Sequence, residues 1–280
     1  MAGGWPILPE FSNANDQGTV LSVSSGTLVT SSSTAKTKGA YTQLVASTPY
    51  DAIGFLLIVN VTPITTGVSA ITVDIAIGPS GSELNILTDF YIPNVGIQET
   101  NDVMIYLPCL IPAGTRISSR VAGLQASKSA TISLVMFDSD FIDVDTSSTY
   151  DTLGFSEANL NGTAVTNSST VNQKGAFTTI VSATSYDYSG FVVVFDARNT
   201  SNSNAPINLL VDIAIGPAGS EVVILPNLQI TIKSPTNSSA SPTNTPFLPI
   251  PIPAGLRVSA RTSGAVASTA LGVTIIAARF

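Results

Sequence analysis

Histidine is absent from this 280-residue chain, and cysteine occurs once, as Cys109. Without an imidazole, neither a Ser-His-Asp nor a Cys-His nucleophile can be assembled, and the usual zinc and non-haem iron sites lose their main ligand. A lone cysteine excludes a disulfide within the chain and is expected as a small buried apolar group. Charge is scarce too: Asp, Glu, Lys and Arg make up 10% of residues, against roughly 25% in an average soluble protein. The net charge is −7, the sequence pI is about 4.4 and no basic run occurs, so a nucleic-acid groove is not expected. Long apolar runs are also missing. The longest, IGFLLIVNV (53–61) and GFVVVFDA (190–197), have the length of strands and fall short of the roughly 20 residues of a membrane helix. The opening MAGGWPILPEF has neither the positive start nor the apolar stretch of a secretion signal, which points to synthesis in a cytoplasm.

What is present is apolar and small-polar. Hydrophobic residues reach 44% and the mean hydropathy is +0.38, with Ser, Thr and Asn supplying most of the polarity. A soluble chain with so few charges covers itself with small polar groups or hides surface against partners. Two modest domains cannot internalise this many apolar residues, which favours the second.

The chain repeats itself. GTLVTSSST (26–34) returns as GTAVTNSST (162–170), and KGAYTQLVASTPYDAIGF (38–55) as KGAFTTIVSATSYDYSGF (174–191), both at an offset of 136. VDIAIGPSGSE (73–83) returns as VDIAIGPAGSE (211–221) at 138, and IPAGTRISSR (111–120) as IPAGLRVSAR (252–261) at 141. Four blocks in constant order with a slowly growing offset define one domain of about 125 residues written twice. The expected layout is an arm over 1–18, a first β-sandwich over 19–137, an acidic linker over 138–154 and a second β-sandwich over 155–280. Equivalent positions should include Gly39/Gly175, Phe55/Phe191, Ile77/Ile215 and Arg116/Arg257. The second copy gains its extra residues within 196–208 and 234–246, stretches of Asn, Ser, Thr and Pro that read as exposed tips.

Within each copy the hydrophobic period is 2, as in VDIAIG, where Val73, Ile75 and Ile77 share a face. The fold class is therefore all-β: two tandem antiparallel sandwiches. Strands are expected near 19–23, 26–31, 41–47, 53–61, 70–77, 83–88 and 102–107, with a final hairpin over 115–136. About eight short strands per copy fit a jelly roll, with an immunoglobulin-like sandwich as the alternative. GPSG and GPAG suit type I turns with Pro second and Gly fourth. Pro108 and Pro112, and Pro249, Pro251 and Pro253, cannot donate ladder hydrogen bonds, so their segments belong at a sheet edge.

No stretch reads as a catalytic motif. Ser80 lacks the G-x-S-x-G context, and the glycine turns lack the Lys-Ser/Thr of a phosphate loop. Carboxylates recur in both copies as Asp74 with Glu83 and Asp212 with Glu221; as an acid–base pair they could cleave glycosides, while as outward strand and turn residues they would be structural. Asp151-Thr152-Leu153-Gly154 displaces the glycine of an Asp-Thr-Gly protease loop. Asp138, Asp140, Asp143 and Asp145 could gather around Ca²⁺ but lack EF-hand spacing, and read as a solvated linker. The Asn-x-Ser/Thr triplets at Asn60, Asn161, Asn167, Asn199 and Asn237 read as unglycosylated. The aromatic C-terminal Phe280 matches an outer-membrane barrel ending, without the long loops or signal of one. The expectation is a protein that is not an enzyme, with no cofactor, no metal, no nucleic-acid partner and no membrane partner.

The blocks VDIAIGPxGSE and IPAGxRxSxR, set in a Ser/Thr/Asn-rich, histidine-free chain, resemble virion structural proteins of tailed bacteriophages. The resemblance implies a capsid decoration, or cement, protein located in the virion. Its implied partners are copies of itself, as a trimer, and the major capsid protein or another virion protein. In such a protein the arm would thread onto a neighbour, with Trp5, Ile7 and Leu8 as partner-binding residues. Two other readings share these features: a tail or fibre-tip protein recognising host glycans, and a double jelly-roll major capsid protein.

Overall fold

The computed structural model describes residues 11–12, 26–61, 69–95, 101–138, 149–197, 207–232, 240–241 and 244–279. Among the described residues there is no helix, and every regular element is a strand. The first copy holds β1 (Phe11–Ser12), β2 (Thr27–Thr30), β3 (Thr42–Val45), β4 (Ala52–Val61), β5 (Ser69–Ile77), β6 (Leu84–Val95), β7 (Asn101–Ile111), β8 (Ile117–Gly123) and β9 (Ser129–Asp138). The second holds β10 (Tyr150–Leu153), β11 (Thr163–Thr166), β12 (Thr178–Val181), β13 (Tyr188–Ala197), β14 (Ile207–Ile215), β15 (Val222–Ile232), β16 (Ala240–Ser241), β17 (Val258–Gly264) and β18 (Ala270–Arg279).

Strand pairing decides between the two sandwiches. In the first copy β2 pairs β9, β9 pairs β4 and β4 pairs β7, while β3 pairs β8, β8 pairs β5 and β5 pairs β6. Lettering β2 to β9 as B to I gives sheets BIDG and CHEF, the two four-stranded sheets of a jelly roll. The second copy repeats this as β11–β18–β13 and β12–β17–β14–β15. Its G position is filled by 244–252, which touches β13 through isolated bridges Val194↔Asn244, Phe191↔Leu248 and Tyr188↔Ile252. Proline explains the difference. β7 carries only Pro108 inside its ladder, whereas Pro246, Pro249 and Pro251 break the second ladder into single contacts. Both segments lie at a sheet edge, as their prolines require.

The inward rows follow the period-2 pattern. Phe55, Leu57 and Val59 of β4 face Ile132 and Leu134 of β9 and, across the sandwich, Val73 and Ile75 of β5, all buried. Burial of a side chain of this size stabilises the fold by about 1.5–3 kcal/mol. The sequence equivalences hold at the level of single bonds. Gly39 N donates to Val121 O at 2.9 Å and Gly175 N to Thr262 O at 2.8 Å. Phe55 pairs Leu107, and Phe191 bridges Leu248. Gly78 N donates to Arg116 O, and Gly216 N to Arg257 O.

Several expectations are corrected. Residues 115–136 are not a hairpin: β8 lies in CHEF and β9 in BIDG, because both strands present apolar rows to one core from opposite walls. The glycine turns are shifted by one residue. Ser82 N donates to Pro79 O and Ser220 N to Pro217 O at 3.0 Å, placing Gly81 (φ 86°) and Gly219 (φ 83°) third, where type II turns require a positive φ. The expected linker ends in β10, so 150–153 is part of a sheet. The expected arm contains β1, whose Phe11 and Ser12 pair Met136 and Val135 of the same chain. The expected tips are only partly tips: Asp196 is buried and accepts a hydrogen bond from Gly162 N at 2.9 Å, Ala240–Ser241 pairs β15, and Thr245 is buried. Trp5, Ile7, Leu8, the strand expected over 19–23, and Asp140, Asp143 and Asp145 lie outside the described residues.

β10 joins the two copies. It pairs antiparallel with β18 over Tyr150 to Leu153 and parallel with β6 at Leu87, so that β10 fuses CHEF of the first copy and the B, I and D strands of the second into one eight-stranded sheet.

Candidate interaction surface

The recurrent carboxylates are tied up inside each domain. Asp74, fully buried, accepts from Lys38 Nζ at 2.6 Å, Arg120 Nε at 2.8 Å and the Asp89 amide at 2.8 Å. Asp212 repeats this with Lys174 Nζ, Arg261 Nε and the Asn227 amide, each at 2.8 Å. Each arginine also lies over a ring, Arg120 over Tyr41 at 4.6 Å and Arg261 over Phe177 at 4.4 Å. Burial alone would raise the Asp212 pKa, but the bonds from Lys174, Asn227 and Arg261 outweigh it and hold the carboxyl below its ordinary value. Glu83 and Glu221 each accept from a turn amide, Gly81 and Gly219, and pair with Arg116 at 3.1 Å and Arg257 at 2.8 Å. These are brackets between loop, strand and turn, and the outward position expected for Asp74 and Asp212 is corrected: both are buried under their lysine and arginine partners. Cys109 is buried in the first core, where burial pushes its thiol up to about 12. Asp151 receives Arg279 through both oxygens, at 2.7 and 2.5 Å, and the Tyr188 hydroxyl at 2.9 Å, clamping β10 to β18. Among the described residues no cluster of acidic, cysteine or histidine side chains could hold a metal, and no helix is long and apolar enough to cross a membrane.

The distinctive surface is the one between the copies. On β13, Phe191, Val193 and Phe195 point into the second core, while Val192 and Val194 point outward yet are buried in the cluster of the first copy. Ile276 and Ala278 of β18 do the same. They meet the β6 edge, whose Ile86, Leu87 and Phe90 are buried. Tyr150 is buried at the joint, its hydroxyl donating to Pro108 O at 2.5 Å, and burial pushes its pKa well up. Phe155 packs its ring 5.2 Å from Tyr91, Thr152 Oγ1 donates to Thr88 O, and Lys36 Nζ reaches Ala158 O at 2.5 Å.

None of these joint residues stands out from spacing alone. One signal was readable: GFVVVF is apolar at every position from Phe191 to Phe195, the mark of a strand covered on both faces. Large apolar side chains also remain exposed on the body, among them Leu28, Met104, Leu110 and Leu210.

No protein-family profile matches the chain, and no curated protein matches its sequence. Among solved structures, the N-terminal CBM22-1–CBM22-2 tandem domain of Paenibacillus barcinonensis Xyn10C aligns over 89% of this chain and 86% of its own, at 11% identity and a TM-score of 0.27. A triple jelly-roll protein from the turret of an archaeal virus aligns over 90% of this chain and 58% of its own, at 10% identity and a TM-score of 0.24. At such scores neither carries a functional argument; the jelly-roll assignment rests on the strand pairing.

Proposed function

We propose that this chain is a non-enzymatic structural protein of a virion, a decoration or cement protein that stabilises a phage shell as a homotrimer. The observation that carries the reading is the fusion of two jelly rolls into one body whose strand and turn carboxylates are engaged internally while large apolar side chains stay on its surface. A body of this kind is stable by itself and still offers apolar area to neighbours, as permanent assemblies do. Three-fold closure leaves no open contact for runaway growth. In this reading the segment bearing Trp5, Ile7 and Leu8 engages the shell or a neighbouring subunit, and the protein is made in the host cytoplasm. Quantitative mass spectrometry of purified particles tests it: hundreds of copies per particle are expected, and absence from particles overturns it. A count of tens or fewer transfers the protein to a tail or fibre. Deleting residues 1–8 is expected to leave the thermal melt unchanged and lower shell occupancy.

A further inference from the structure

The contact between the two copies is made by different surfaces on each side. The first copy gives its F-strand edge, β6. The second gives the outward face of its BIDG sheet, bordered by β10. Because the copies are the same domain, each also carries the surface the other one uses, and the chain leaves one of each over.

The leftover surfaces are recognisable residue by residue. On β15, Ile224, Leu225 and Leu228 correspond to Ile86, Leu87 and Phe90 of β6, which the second copy buries; on β15 all three are only partly buried. Beyond β15 the described residues hold only the two-residue β16, paired at Thr231 and Ile232, and no described strand lies beside the stretch matching the β6–β10 contact. On the first copy, Leu56 and Phe137 correspond to Val192 and Ala278, and Tyr106 to Phe247, which packs on the first core. Leu56, Tyr106 and Phe137 remain partly exposed, with Met104 and Leu110 exposed on the same outward row of β7, while Ile58 and Val135, the equivalents of Val194 and Ile276, are buried. Tyr106 lies against Gly54 as Phe247 lies against Gly190, so the two faces are built alike. The strand that borders the face is repeated as well. β1 pairs β9 at Met136, and β10 pairs β18 at Ala277, which are equivalent positions at the offset of 141.

We propose that this protein self-associates head to tail, the β15 edge of one chain docking on the β1–β9–β4–β7 sheet of the next as β6 docks on β10 and β18 within the chain. The occupant is a second copy, because the homologous pair of surfaces already docks within the chain and the counterparts of both are present in the same molecule. Such a heterologous contact joins identical chains into a closed ring or a running filament. Among the described residues β15 is an edge strand over this stretch and open to such addition, with Pro226 leaving one position of the edge without a donor. The inference names the contact for the oligomeric part of the proposed function, and purified protein without any shell tests it separately from the virion reading.

The experiment is sedimentation of the full chain at micromolar concentration, alone and as two variants, L225K/L228K on the β15 edge and L56K on the opposite face. Wild type is expected to assemble, and each variant, folded by circular dichroism, to lose assembly at least tenfold in concentration. Mixed in equal amounts, the variants are expected to form a one-to-one dimer, since each keeps the surface the other has lost. Hydrogen exchange on wild type, which needs no variant to fold, is expected to show protection of 224–228 and of β4 and β9 amides rising with concentration. A monomeric wild type, concentration-independent exchange at 224–228, or variants that fail to complement each overturn the proposal.

Discussion

The strands β6 and β15 are one strand in two settings. Both follow a glycine turn, both pair the E strand at equivalent residues, and both carry a left-handed residue at the same step, Asp89 with φ 52° and Asn227 with φ 54°. Yet Leu87 and Phe90 are fully buried while Leu225 and Leu228 are not. Local sequence makes the strand; what covers it decides its burial. Substitution follows the setting. Tyr91, which meets Phe155 at the joint, is replaced by exposed Gln229, and Thr88, whose carbonyl accepts from Thr152, by exposed Pro226.

The largest expected effect comes from breaking the joint itself. Tyr150, carried on the strand that joins the copies, is buried in the first core with its hydroxyl on Pro108 O, and Tyr150→Ala should cost about 3–5 kcal/mol, as removal of a large buried aromatic does. Because the outward residues of the second copy share a core with the first, wild type is expected to melt in one calorimetric transition and the variant in two. A single transition with an unchanged midpoint would mean that the copies are stable independently of their contact.

A smaller effect separates the two ion-pair brackets. Lys38 sits 2.5 Å from Asp89 as well as 2.6 Å from Asp74, whereas the second copy has Asn227 where the first has Asp89. Removing the carboxylate in Asp212→Asn leaves Lys174 and Arg261 without their acid. The expected cost in urea unfolding is about 3 kcal/mol, at the lower end for breaking a buried pair because Lys174 and Arg261 keep part of their surface in water. In Asp74→Asn, Asp89 still neutralises Lys38, so the cost should be lower, about 2 kcal/mol. Equal losses would show that burial, not the second carboxylate, sets the energy.

How much of this was legible follows from the range of the forces involved. Period-2 alternation, turn glycines and proline placement act over a few residues, so strands such as β5 and β14 and the edge position of β7 can be read directly. The repeat extends that to equivalences across the chain, down to Arg116 with Arg257. Pairing between walls is another matter. β8 and β9 are adjacent in sequence and separated into two sheets, and nothing in their alternation says which wall each joins. The joint was hidden for the same reason: 150–153 reads as an acidic linker until Arg279, 128 residues away, claims Asp151. The candidate carboxylates were visible, but their partners, which settle their role, come from strands far along the chain.

The two glycine turns should behave alike, since their surroundings are alike. A Cβ at Gly81 or Gly219 would meet nothing within 4 Å, so only the positive φ opposes it. Gly81→Ala and Gly219→Ala are each expected to cost about 1–2 kcal/mol from backbone strain. A difference between them beyond measurement error would show that the open β15 edge, which follows Gly219, softens its turn.

The smallest effect is on pH. Asp212, Glu83 and Glu221 are all held below their ordinary values of 3.8, 4.5 and 4.5. For Glu83, burial pulls upward and is outweighed by bonds from its own amide, Arg116 and Gly81; for Glu221 the Arg257 bond leads. A carboxyl with a depressed folded pKa binds fewer protons folded than unfolded, so its contribution is complete above the unfolded value and vanishes as pH falls through the folded one. Stability should therefore be flat from neutrality to about pH 5 and decline below it. Glu83→Gln and Glu221→Gln should shift the thermal midpoint by similar small amounts at pH 7, because each loses the charge of one arginine pair while an amide oxygen still accepts from the turn amide. Below the folded values each variant should converge on wild type, since wild type has by then lost the same charge. Curves that stay parallel down to pH 2 would show that the turn needs the carboxyl group as a hydrogen-bonding shape and draws nothing from its ionisation.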